Sequence, residues 1–263
     1  MLKKLFWLYF LLLMFEGALR KWVLPQYSAP LLLIRDPVAL LIIWEAYRTR
    51  RWPKRWSSVV GILTAGILVL CFIQLIAGGS PWFVALYGLR SYLLPFPVAF
   101  IMGENLDSED LRKFGLCTLW LLFPLTALAV AQYYAPANSI LNKGAFLGTE
   151  QLGYSGGHVR ASATFSYVMG PMFFVPMAAA FIFYGIADGK FAKRWFLFAA
   201  SSALLIAVPV TGSRTLALLL LGVLACVVVA AMFGVSQLAS ALKVGLALIA
   251  VAALVSQLPV VSE

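Results

Sequence analysis

The sequence predicts an all-α, polytopic membrane protein, and three observations carry that reading. Apolar runs near 20 residues recur along its 263 residues. Only 11% of the residues are charged, against roughly 25% in a soluble domain. The hydrophobic fraction is 63% and the mean hydropathy +0.94, from which a soluble surface cannot be built. Each run is about long enough to cross a hydrocarbon core of roughly 30 Å as a helix. Backbone groups in lipid must pair within their own segment, which selects helices, and the lack of period-2 alternation argues against an outer-membrane barrel.

Taken in order, nine spans are expected: 4–19, 29–47, 57–77, 83–103, 114–135, 165–187, 195–211, 214–235 and 240–257. The first follows Met1-Leu2-Lys3-Lys4 like a signal peptide. It ends in Phe15-Glu16-Gly17-Ala18-Leu19-Arg20-Lys21-Trp22 without a small-residue cleavage site, so it reads as an uncleaved span. Glu16 and Arg20, at i, i+4, are a candidate internal ion pair, as are Arg35 and Asp36. The third span lies between a basic cluster, Arg48 to Arg55, and Gly78-Gly79-Ser80-Pro81. Glu104 to Lys113 reads as a solvated loop in which Asp107-Ser108-Glu109-Asp110 opens a short helix ended by Arg112 and Lys113. Pro95, Pro97, Pro124, Pro171, Pro176 and Pro209 lie in or at the ends of spans, where each removes a donor and tends to kink the helix. The longest loop, about 136–164, is rich in Gly, Ser and Asn and is largely non-helical. The whole chain, 1–263, reads as a single transmembrane domain without a soluble part.

The formal charge of +10 would suggest nucleic acid in a soluble protein, but here the cations sit in short loops and set topology. Lys3, Lys4, the Arg48 to Arg55 cluster, Arg112, Lys113, Lys190, Lys193, Arg194 and Lys243 fall on one side, thirteen of the 20 Lys and Arg. Arg20, Lys21, Arg35, Arg90, Lys143, Arg160 and Arg214 fall on the other. The bias places the N-terminus and the larger group in the cytoplasm, in a bacterial inner membrane crossed many times. Cys71, Cys117 and Cys226 lie within apolar runs, with no CxxC or Cys/His spacing, and read as packing residues; no metal site or cofactor is indicated.

Three arginines fall at the outer level: Arg90 in Leu89-Arg90-Ser91-Tyr92, Arg160 before Ala161-Ser162-Ala163-Thr164-Phe165-Ser166-Tyr167, and Arg214 in Thr211-Gly212-Ser213-Arg214-Thr215. A permanent guanidinium at membrane depth is costly unless it faces a cavity, a partner or the interface, and its fork suits phosphate oxygens. The competing reading is an arginine that snorkels to head groups. It weighs least at Arg214, which sits in a Gly-Ser turn with no carboxylate nearby in sequence. His158, the single histidine, is a candidate base or substrate contact, although no carboxylate lies at a recognisable spacing and loop packing competes. Lys143 could reach a phosphate or stay solvated. No P-loop, GxGxxG or HExxH occurs.

The segments 15–22, 89–92, 160–167 and 211–215 together resemble the O-antigen ligase and polysaccharide polymerase (Wzy-like) family. That resemblance implies a GT-C-like, metal-independent membrane glycosyltransferase. It would take a glycan from an undecaprenyl pyrophosphate carrier and pass it to lipid A-core or a growing polysaccharide at the periplasmic face. Arg160 and Arg214 would be the catalytic pair, holding the donor pyrophosphate and stabilising its charge as the glycosidic bond breaks. Apart from the resemblance, Arg90, Lys143 and His158 are taken as candidate substrate-binding residues. The expected partners are the lipid-linked glycan, membrane lipids and other membrane proteins.

The family also carries a large periplasmic loop with a histidine that activates the acceptor, followed by further spans. This chain reaches Leu258-Pro259-Val260-Val261-Ser262-Glu263 about where that loop would begin, covering roughly two thirds of such a protein. His158 lies earlier and does not match. A fragment of an enzyme, a pseudo-enzyme and a non-catalytic membrane subunit packed through Trp- and Phe-rich faces or the stripe Ala217, Gly222 and Cys226 all stay open, with a transporter behind them.

Overall fold

The computed structural model describes residues 1–77, 81–145, 154–155 and 157–232. The expected ninth span (240–257), residues 233–235 of the eighth, Lys243 and the segment 258–263 lie outside these residues, as does part of the long loop. Apart from two antiparallel strands of two residues each, β1 (Tyr154–Ser155) and β2 (His158–Val159), the described chain is all-α.

Five of its helices are long and apolar enough to cross a membrane: Lys54–Ile76, Trp82–Asn105, Ser108–Tyr134, Met169–Asp188 and Arg194–Thr211. In chain order the helices are α1 (Leu2–Ala18), α2 (Ser28–Leu31), α3 (Arg35–Arg48), α4 (Ser57–Ile76), α5 (Trp82–Leu93), α6 (Pro95–Asn105), α7 (Ser108–Tyr134), α8 (Met169–Asp188), α9 (Arg194–Thr211) and α10 (Arg214–Met232). Where a continuous helix over 29–47 is expected, the structure has α2, a break and α3, whose 14 residues rise only about 21 Å. The expected span 83–103 divides at Leu94, because Pro95 lacks the N–H that would continue α5. The short helix expected to stop at Arg112 and Lys113 instead runs on as α7, 27 residues long. Gly115 leaves room there for Phe181 and Phe191, whose rings would lie 2.5–2.8 Å from a Cβ at that position.

The residues form two compact units. The first comprises Met1–Leu13 and Leu32–Ser108. In it α3 packs on α6 and α4 on α5, with Ile42 and Ile101 fully buried. Arg90 donates to Asp36 at 2.7 Å and lies over the Tyr87 ring, 4.4 Å from its centroid. The second comprises Met14–Leu31 and the described residues from Glu109 onward. Its core is α8 packed on α9 and α10, with Trp120 and Phe123 of α7 against Phe196 of α9 at ring distances of 4.9 and 5.7 Å.

Candidate functional site

In the second unit α1 ends in a turn of π-helix, Leu19–Val23, which carries two consecutive cations, Arg20 and Lys21. Both are 1% exposed, and Glu16 is 4% exposed. Such charges are tolerable only with partners. The Arg20 Nη1 donates to Glu16 Oε1 at 3.3 Å and to Ser166 Oγ at 2.8 Å, and its Nε donates to the Ser28 carbonyl at 2.9 Å. The Lys21 Nζ donates to Ser162 Oγ and to the Ala163 carbonyl at 3.3 Å. Thr164 Oγ1 donates to the Met14 carbonyl at 2.7 Å. Gly17 permits this approach: a Cβ there would overlap the backbone of Phe165 and Ser166. Segment 15–22 therefore grips segment 160–167.

Gln132, fully buried near the end of α7, completes the grip. Its Oε1 accepts from the Ala163 N–H at 2.7 Å, and its Nε2 donates to the Leu141 carbonyl at 2.9 Å. Ala163 is thereby fixed at φ +47°, a left-handed conformation costly for a residue with a Cβ. This bend explains why α8 starts at Met169 and not at 165: the residues before it are committed to contacts with other segments. Asn142 donates through Nδ2 to the carbonyls of Gln132, Ala135 and Pro136 at 3.0–3.1 Å, satisfying groups that the end of α7 leaves open.

Arg160, at the head of the gripped segment, donates through Nη2 to the Gly212 carbonyl at 2.7 Å. Gly212 ends α9 at φ +55°, in the left-handed region that glycine adopts without strain. Ser213 then caps α10, its Oγ accepting the Leu216 N–H at 3.4 Å, and Arg214 is the first residue of that helix. One corner thus gathers Arg160, half-buried, an exposed Arg214, the Ser213 hydroxyl and the N-terminus of α10. Helix N-termini and guanidinium groups both favour anions, phosphates above all.

The other candidates have surroundings of their own. Arg90 belongs to the first unit, with its charge matched by Asp36. His158 stacks on Tyr133 at 4.3 Å between centroids and 16° between planes, with its Nδ1 3.2 Å from the Tyr133 carbonyl, so it packs the loop against α7. Lys143 is exposed in the loop after α7. Sequence reasoning passed over Lys21, Gln132 and Ser162. The available signal was the density of Ser, Thr, Gln and Asn flanking apolar spans, since polar groups at that depth need partners. Burial together with the neighbouring Arg20 charge lowers the Lys21 pKa from 10.5 to about 7; the residue follows α1 and lies outside the spanning segments. Among the described residues no metal-sized group of His, Cys, Asp and Glu gathers. No protein-family model, curated protein or solved structure matches the chain.

Proposed function

We propose that this chain works as a membrane glycan ligase or polymerase scaffold of GT-C type, handling a glycan carried on undecaprenyl pyrophosphate. In this reading it crosses a bacterial inner membrane nine times with its N-terminus in the cytoplasm, and the donor binds at the periplasmic face. The observation that carries the reading is the hydrogen bond from Arg160 to the Gly212 carbonyl, which draws the Arg160 segment to the turn bearing Arg214. Two permanent cations and a helix N-terminus at one corner suit a pyrophosphate, whose charge grows as the bond from the anomeric carbon to its oxygen breaks. Arg214, exposed and unburdened by core packing, stabilises the leaving pyrophosphate; Arg160 positions it from the opposite segment.

The test is Arg214→Lys in the intact membrane protein, with transfer of lipid-linked glycan in vesicles read on a gel. Lysine keeps the charge but loses the two-pronged contact, so turnover should fall about 10²–10³-fold while abundance and membrane insertion stay normal. Wild-type transfer by this variant removes Arg214 from the chemistry and favours the alternative, a non-catalytic integral-membrane subunit.

A further inference from the structure

At the opposite end of α8 and α9 from the Gly212 turn, an open cleft of about 610 Å³ lies between the start of α7 and the α8–α9 connection. All three helices are long and apolar enough to span a membrane, so their ends mark a lipid–water boundary. One part of the lining is cationic, with Arg112, Lys190 and Lys193; the rest is aromatic, with Trp120, Trp195 and Phe196. The Arg112 guanidinium is held by backbone carbonyls, Nε to Phe191 at 3.3 Å and Nη2 to Lys190 at 3.2 Å, which orient it without neutralising it. None of the ion pairs among the described residues engages Arg112, Lys190 or Lys193. Of the carboxylates near them in sequence, Asp188 accepts the Lys190 backbone N–H at 3.3 Å but keeps its charge, which the three lining cations outnumber, and Glu109 pairs with Lys113 at 2.7 Å. Trp120 and Trp195 are 62% and 64% exposed, so both indoles are open to an apolar ligand.

We propose that this cleft binds an anionic phospholipid, its phosphate on Arg112, Lys190 and Lys193 and the start of its acyl chains along Trp120, Trp195 and Phe196. The division of the lining matches the division of such a lipid into a charged head and apolar tails. A volume of this size falls in the range of small-molecule sites. A zwitterionic lipid would fit the shape but would leave the surplus positive charge unmatched, so the preference is for net negative head groups.

The test is native mass spectrometry of the full chain released from detergent with graded phosphatidylglycerol or phosphatidylcholine. Phosphatidylglycerol adducts should persist at about tenfold lower lipid concentration, and Lys190→Gln with Lys193→Gln should abolish that preference. Both lysines are exposed, so the double variant keeps its fold. Arg50→Gln with Arg51→Gln, exposed cations that do not line the cleft, should leave the preference intact. Equal retention of the two lipids, or equal losses in the two double variants, overturns the proposal. Displacement of phosphatidylglycerol by millimolar glycerol 3-phosphate or inorganic phosphate would overturn it too, by assigning the cleft to a soluble phosphate. A second measurement uses the wild type alone: brominated phosphatidylglycerol should quench tryptophan fluorescence more than brominated phosphatidylcholine in mixed micelles, and equal quenching counts against the site.

Discussion

Arg20 and Ser166, 146 residues apart in sequence, share a buried hydrogen bond of 2.8 Å, and the same guanidinium nitrogen reaches Glu16. A cation enclosed in this way depends on the Glu16 carboxylate and on neutral acceptors, so removing a partner leaves charge stranded. Arg20→Ala should destabilise the protein by about 3–5 kcal/mol, and Ser166→Ala by about 1 kcal/mol. Thermal unfolding in detergent would read this as a large drop in Tm for the first and a small one for the second. Equal small drops would mean that the pair is not structural.

Gln132 and Ala163 make a second buried contact that can be tested in isolation. Gln132→Leu keeps the bulk but orphans the Ala163 N–H, at a cost of about 1–3 kcal/mol. Ala163→Gly should be close to neutral, because relief of the left-handed backbone offsets the greater flexibility of glycine, whereas Ala163→Val should be clearly destabilising. The order of melting temperatures, glycine above valine, is the decisive readout.

Lys21 predicts a pH dependence. Its folded pKa, about 7, lies below the 10.5 of an unhindered lysine, so between these values the unfolded chain binds more protons. Stability from this residue therefore rises with pH across roughly 7 to 10 and is lost as pH falls toward 7. Lys21→Met should flatten that rise. A melting profile that rises equally in both proteins would locate the effect elsewhere.

Orientation is open to chemical labelling. With the N-terminus cytoplasmic, cysteines replacing Arg51 and Lys193 in a cysteine-free background should resist an impermeant thiol reagent added to intact cells, and one replacing Lys143 should react. The inverse pattern would put the Arg160 and Arg214 corner on the cytoplasmic side and remove the periplasmic donor from the proposal.

Much of the helical layout was legible because lipid-sized apolar runs announce themselves locally. Arg194–Thr211 falls within a residue of its expected start. Interruptions were harder to read. The break before Arg35 did carry a signal that went unread, Pro37 in the first turn of α3, which has no N–H to donate to the Leu33 carbonyl, whereas Phe165 to Val168 contain no proline or glycine that would stop a helix. Their bend is imposed by Gln132 and Lys21, which are distant in sequence and leave no trace in a window of 20 residues. Arg20 and Lys21 looked like topology signals at a span's end, and Arg20 also like half of an i, i+4 pair. Only the pair with Glu16 could be read in advance, since it is local, while Ser28, Ser162 and Ser166 come from elsewhere in the chain.

The helix within Lys54–Ile76 has only 6% of its apolar window buried by protein, against 50% for Met169–Asp188. Side chains such as Ile62, Leu70 and Phe72 touch little of their own fold, so no neighbour's shape constrains which apolar residue stands there. In a saturation library this helix should therefore accept exchanges among Leu, Ile, Val and Phe almost everywhere and reject charge, whereas Ala178, Ala179 and Ile182 should reject most exchanges of size. Selection on such a segment would act on its hydropathy and leave the identity of each side chain free to drift.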